Sequence, residues 1–355
     1  MSVLDLARVD IRALAPYSSA RMEARGGSVA LNANESPWPP PGDAGAALHR
    51  YPDPQPAVLV QRLAQTYGVR AEQVLVGRGS DEAIDLLVRA FCRAGEDAVA
   101  ISPPTFGMYA VCAKVQGAAV LEIPLRADFT LDADTLLARL TPAVRIVFVC
   151  SPNNPTGALV PLATIERLAV VLRGQALLIV DEAYTEFADA PSAATLLDRY
   201  EHLGVLRTLS KAWALAGARI GSLLAAPEVI ALLRRIMAPY PLPTPCVDAA
   251  LAVLQDGGAA LVRERIATVR GERTRLAAAL PSLPGVRAVL PSQANFLAVR
   301  FTDAATVYAD LLRAGIVVRD IRRYPGLADA LRISIGTPQQ NDALLAALAA
   351  CREAA

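Results

Sequence analysis

Two residues sit in settings that ask for a chemical reason. The first is Lys211, in Thr208-Leu209-Ser210-Lys211-Ala212-Trp213. Of 35 lysines and arginines only Lys114 and Lys211 are lysine. A lysine kept where arginine otherwise prevails points to chemistry that a guanidinium cannot do: only an amine condenses with an aldehyde. Lys114 reads as a plain surface lysine on a helix over 108–116. Lys211 fits that description poorly, because it follows a β-rich run and lies between Leu209 and Trp213. Desolvation there would lower the amine pKa and make it a nucleophile. The second is Asp181, which ends the apolar run 177–180 and opens Asp181-Glu182-Ala183-Tyr184. A carboxylate at the end of a buried strand is costly without a cation. A protonated pyridine nitrogen would serve, and Tyr184 would reach the hydroxyl of the same ring; an acidic helix N-cap is the plainer alternative.

Two loops extend the set. Ser151-Pro-Asn-Asn-Pro-Thr-Gly157 is a turn stiffened by its prolines and glycine, with the Asn154 amide as a donor to the ring oxygen. Val74 to Asp81 reads as strand, glycine turn and helix start, a place where free backbone N–H groups and the helix dipole attract phosphate. Gly79, Ser80 and Asp81 are therefore candidate cofactor contacts, and Ser210 and Arg219 can add a hydroxyl and a guanidinium. Gly77-x-Gly79 alone is a weak signal. Position 82, where a dinucleotide fingerprint would need its third glycine, is Glu82, so a nicotinamide dehydrogenase is excluded.

These residues need strand ends to hold them. Short β-rich runs at 73–76, 98–101, 120–123, 145–150, 177–180, 205–208 and 220–224 alternate with helical stretches at 82–93, 162–173 and 228–237. Most of the runs are continuously apolar, as in strands buried on both faces. The pattern predicts a doubly wound α/β domain with a mainly parallel sheet, whose ligands sit at the carboxyl ends of the strands. Beyond the prolines at 239–245 the character changes. A long helix at 259–280, strands at 286–290, 296–300, 316–318 and 331–334, and helices at 305–314 and 339–352 predict a smaller α+β domain. The expected division is an N-terminal segment 1–45 packing on the small domain, a large domain 46–245 and the small domain 246–355.

Composition sets the outer limits. The 355 residues are 54% hydrophobic, enough for two cores. A formal charge of +1 gives no electrostatic reason to expect nucleic acid or a membrane surface as partner. No apolar run approaches the roughly 20 residues that span a bilayer, and the first residues lack the core of a signal peptide. Five scattered cysteines without a CxxC pair suggest reduced thiols, so a cytoplasmic location is expected. Two histidines, His49 and His202, are too few for a His-based metal site, and each reads as satisfied or solvent-facing.

Together these segments resemble the fold-type-I aminotransferases that use pyridoxal 5'-phosphate. Tyr17, Leu31 to Glu35, Arg50 to Asp53, Pro103 to Tyr109, Cys150 to Gly157, Asp181 to Tyr184, Arg207 to Lys211, Ala238 to Leu242 and Leu331 to Ser334 resemble the histidinol-phosphate aminotransferase branch of that family. The resemblance runs over nearly the whole chain. It implies a seven-stranded large-domain sheet and a homodimer with the active site at the subunit interface, Tyr51 reaching the neighbour's cofactor phosphate. It implies that Phe106 stacks on the pyridine ring, and that Arg332, helped by Arg319, binds the glutamate carboxylate and the substrate phosphate in turn. Tyr17 and Asn34 would close the pocket. The substrates implied are L-histidinol phosphate with glutamate and 2-oxoglutarate, exchanged in a ping-pong cycle in which Lys211 moves the proton. The stretch 320–326 matches no known pattern. An aromatic or broad-range aminotransferase, or a decarboxylase of phosphorylated amino acids, are the alternatives on the same scaffold. A transcription regulator with such a domain is disfavoured by the near-neutral charge.

Overall fold

In a computed structural model of the chain, the described residues are 2–17, 29 and 31–351. Seven strands among them, β1 (Val74–Arg78), β2 (Ala98–Ile101), β3 (Ala119–Glu122), β4 (Val144–Cys150), β5 (Leu177–Asp181), β6 (Leu203–Thr208) and β7 (Ile220–Ala225), form one sheet. Their spatial order is β1-β7-β6-β5-β4-β2-β3. The strands from β3 to β6 run parallel, and β7 is antiparallel to both β6 and β1. The sheet is thus mainly parallel, as the apolar runs predict.

Those runs are continuous because both faces are covered. In β4, Ile146, Phe148 and Cys150 enter one core and Val147 and Val149 the opposite one. In β5 the same alternation sends Leu177 and Ile179 one way and Leu178 and Val180 the other. Helices Ser80–Phe91, Met108–Gln116 and Pro227–Arg234 cover the first face, and Ala57–Tyr67, Leu162–Leu172 and Thr244–Val253 the second. Truncating one of these leucines to alanine would cost about 2–5 kcal/mol. After β2 the chain moves outward to β3, and after β4 it moves the other way to β5 and β6. The crevice between the loops that follow β2 and β4 is therefore a switch point, where such sheets bind ligands.

A second, antiparallel sheet has the order β10-β11-β9-β8, with β8 Val286–Val289, β9 Phe296–Phe301, β10 Arg319–Asp320 and β11 Ala330–Ser334. Leu276, Leu297, Val299, Leu311, Ile333 and Leu344 join it to helices Asp256–Ala279, Ala304–Arg313 and Pro338–Ala350. The strand expected at 316–318 does not form. The Ile316 N–H bonds instead to Leu311 O at 2.8 Å, closing the preceding helix, and pairing begins only at Arg319. The start of the chain also departs from expectation. Val3, Leu6 and Ala7 are buried in the helical layer of the large sheet, and Arg8 N donates to Ala90 O at 3.0 Å. Apolar residues this early were free to pack on whichever core lay nearer. Among the described residues, no single helix is long and apolar enough to cross a membrane.

Candidate active site

Lys211 follows β6 on a turn held from below. Leu209 and Trp213 are both buried, and Leu215 N donates to Leu209 O at 3.0 Å. The anchored turn leaves Lys211 Nζ 5.7 Å from the centre of the Tyr184 ring. The side chain reaches solvent through the open mouth of a cavity, while protein on its other sides desolvates the amine. That desolvation lowers its pKa; the positive charges of Arg332 and Arg219 act the same way, against Asp81 and Asp181. The amine is thereby poised to act as nucleophile and base.

Asp181 ends β5 and is 3% exposed. It accepts a hydrogen bond from Tyr109 Oη at 2.7 Å and one from Ala183 N at 3.1 Å, and among the described residues it forms no salt bridge. Burial pushes its pKa up, with Tyr109 and the Ala183 N–H opposing. A buried carboxylate that holds donors but no cation is matched by a protonated ring nitrogen. Tyr184 packs edge-on against Phe296 with centroids 5.1 Å apart, and burial raises its phenol pKa, so the hydroxyl remains a donor.

The phosphate end is shaped by glycine. Gly79, at φ +80°, precedes helix Ser80–Phe91, and no side chain caps that helix start. A Cβ on Gly79 would lie 2.7 Å from Arg219 Nη2, and one on Gly221 only 2.2 Å from Ser80 N. The backbone thus comes as close to its surroundings as only glycine permits. Arg219 itself adopts φ +55°, a left-handed conformation that costs an L-residue roughly 1–2 kcal/mol. Its guanidinium makes long contacts, 3.4 Å to Ser210 Oγ, 3.4 Å to Asp81 Oδ2 and 3.2 Å to Ala216 O. A strained cation with loose partners beside an uncapped helix start is a donor set suited to a phosphate. The residues present fit pyridoxal phosphate at both ends.

One cavity, open at its mouth, gathers Gly79, Ser80, Asp81, Phe106, Asn154, Asp181, Tyr184, Ser210, Lys211 and Arg219. The other expected residues stand apart. Arg332 on β11 lies outside the lining but hydrogen-bonds the Asn154 side chain, and its Nε is buried with no partner among the described residues. Arg319 faces Arg332 across the β10–β11 pair. Tyr17 and Asn34 are exposed and do not line the cavity. Tyr51 is 48% exposed and stacks on Tyr240 at 4.5 Å. The stretch 320–326 is a turn in which Asp320 accepts from Arg322 N and Nε, while Ile321 is buried with Phe129 and Ala298. Lys114 is exposed on its helix, and His202 is buried with Nε2 2.7 Å from Ala169 O.

Tyr109 is the residue that motif reading passes over. It is wholly buried, so it reads as core, yet its hydroxyl touches the acid of the site. The available signal is its place in the run Pro103 to Tyr109, three residues after Phe106. Cys150, Thr208, Ala183 and Ala216 also line the cavity without having been marked by type.

Residues 28–348 match the family described as aminotransferase class I and II. The chain is 58% identical to the histidinol-phosphate aminotransferase of Stenotrophomonas maltophilia (strain R551-3), over 99% of this chain and 98% of that relative. It is 56% identical to the enzyme of the same name from Xanthomonas campestris pv. campestris (strain ATCC 33913), over 100% of this chain and 99% of the relative. Among solved structures, histidinol-phosphate aminotransferase from Sinorhizobium meliloti in complex with pyridoxal-5'-phosphate superposes with a TM-score of 0.78 at 29% identity. That superposition covers 86% of this chain and 84% of the other.

Proposed function

The chain belongs to the class I and II aminotransferase family, and on that premise we propose that it is a pyridoxal-phosphate enzyme exchanging an amino group between L-histidinol phosphate and 2-oxoglutarate. The products are imidazole acetol phosphate and L-glutamate, a step of histidine biosynthesis. The observation that carries the reading is one cavity holding a desolvated amine, a buried acid with no salt bridge among the described residues, and a phosphate cradle. Substrate identity is supported by the full-length likeness to enzymes of that name.

Pyridoxal phosphate, when bound, supplies an aldehyde that condenses with amines and a ring that accepts the electron pair released at the neighbouring carbon. Ser80, Ser210, Arg219 and the N–H groups after Gly79 hold its phosphate, with Asp81 orienting Arg219. Asp181 accepts the ring N–H and keeps that nitrogen protonated. Tyr184 and Asn154 donate to the ring oxygen, and Phe106 covers a ring face. Lys211, freed as an amine, would take the proton from the substrate α-carbon as base and deliver it as acid to C4′, the carbon of the cofactor's aldehyde. Arg332, with Arg319, grips the carboxylate of glutamate or the phosphate of histidinol phosphate, a bidentate fork that suits both. Tyr17 and Asn34 close the pocket.

The same reading includes a homodimer in which Tyr51 reaches the neighbour's cofactor phosphate. The exposed Leu31, Trp38, Leu48 and Tyr51 support it, as large side chains left open to solvent within residues 31–51. It also divides the chain into a large unit 46–245 and a small unit 246–355, with a cytoplasmic location favoured by five unpaired cysteines. The test is spectroscopic. The purified protein should absorb in the visible and lose that band on addition of L-histidinol phosphate without a keto acid. Loss with phenylalanine but not histidinol phosphate would keep the family and discard the substrate.

A further inference from the structure

We propose that Tyr109 is a positioning residue that fixes the acid and the ring-covering side chain of the site through a single phenol. The role rests on the reading of Asp181 given above. Tyr109 Oη donates to Asp181 Oδ2 at 2.7 Å. Its ring meets Phe106 edge-on with centroids 5.6 Å apart and lies flat on Phe148 at 4.7 Å, the planes 4° apart. The residue is 0% exposed, so the phenol cannot turn to water and must find a protein acceptor.

The direction of the bond is fixed by charge. Burial and the Asp181 carboxylate suppress ionisation of Tyr109, which leaves it a permanent donor. The groups facing Asp181 are Tyr109 from helix Met108–Gln116, Cys150 from β4, Asp81 from the start of helix Ser80–Phe91, Lys211 after β6 and Tyr184 from its own loop. Among the side chains, Tyr109 alone hydrogen-bonds the carboxylate in the described structure; the other donor is the Ala183 N–H on Oδ1. An ionised carboxylate has about four lone-pair sites. Two are taken, and the rest remain for a cationic N–H. By stabilising the ionised form of a buried acid, Tyr109 keeps the proton on the ring nitrogen rather than on Asp181. Because the same ring buttresses Phe106, the nitrogen end and the face of the ring are set together.

Tyr109→Phe keeps both ring contacts and removes one oxygen. Wild-type and variant apoproteins are titrated calorimetrically with pyridoxamine phosphate and with its 1-deaza analogue, in which carbon replaces the ring nitrogen. If Tyr109 acts through Asp181, the variant loses about tenfold in affinity for pyridoxamine phosphate, as expected for a hydrogen bond to a charged group. Its affinity for the deaza analogue should barely change. Equal losses with both compounds, or no loss with either, would overturn the proposal. Phe148→Leu, which loosens the stack and keeps the hydroxyl, should weaken both compounds by the same factor; weakening confined to pyridoxamine phosphate would count against the hydroxyl as the cause. Wild-type protein that binds the two compounds equally would remove the Asp181 reading itself, and a wild type that binds neither would remove the cofactor.

Discussion

The two ends of the site are built differently. The end proposed for the cofactor rests on the carboxyl ends of β1, β4, β5 and β6, strands buried on both faces, and Asp181 there is held by Tyr109. The substrate end is carried by the edge of the small sheet and by the N-terminal region. Arg319 is exposed, Arg332 keeps an unpartnered Nε among the described residues, and Tyr17 and Asn34 are open to solvent. A group that must meet one unchanging ligand can be fixed by packing. Groups proposed to meet two substrates in turn are left with hydrogen-bonding capacity to spare, where Arg332 of β11 touches Asn154 of the loop after β4.

The largest expected effect tests the fixed end. Lys211→Ala should lower kcat by about 10⁴-fold or more, because nucleophile and proton carrier are lost together. Borohydride should then fail to attach the cofactor covalently, as mass spectrometry of the intact chain would show. A variant that still incorporates the cofactor would break the assignment. Smaller effects should separate the two ends. Arg332→Ala should raise KM for both glutamate and histidinol phosphate about 10–100-fold, the cost of a charge-assisted contact, and leave cofactor affinity unchanged. Arg219→Ala should do the reverse, weakening the cofactor about tenfold with substrate KM little moved once the site is saturated. If both variants shifted both constants alike, the two ends would be one unit and the contrast would fail.

How much of this was legible from sequence follows the same division. The run Leu177 to Val180 ending in Asp181 announces a doubly buried strand with an acid at its ligand end, because parallel strands need apolar residues on both faces. Lys211 is visible through its rarity among arginines. Tyr109 is hidden, since a buried aromatic three residues from another reads as packing until its hydroxyl is located. The contact between Asn154 and Arg332 joins residues 178 apart, and no local pattern encodes such a pairing. Ile316-Val317-Val318 is a β-branched run like a strand, but such a run records a preference and not a pairing. Here the Ile316 N–H closes the preceding helix on Leu311 O and pairing with β11 begins only at Arg319, which no local pattern announces.

The smallest effect concerns stability, and it shows what the fixed end costs the empty protein. Burial raises the Asp181 pKa in the folded state, so folding favours the protonated form. The sign follows from linkage: a group whose pKa is raised on folding stabilises while it is protonated in both states, and loses that contribution as pH rises through its folded value. At neutral pH the cofactor-free chain therefore bears the cost of a buried acid that, among the described residues, only Tyr109 and the Ala183 N–H compensate. Asp181→Asn keeps an oxygen to accept from Tyr109, gives up the acceptor of the Ala183 N–H and removes the charge. Its apoprotein should melt about 1–3 °C higher at pH 7, and the gap should close as pH falls toward the ordinary carboxylate range, where Asp181 is neutral in both states. The same variant should bind pyridoxamine phosphate more weakly than the wild type. An apoprotein that melts lower at pH 7, or a gap that does not depend on pH, would mean that Asp181 is already satisfied without a cation and that the acid is structural.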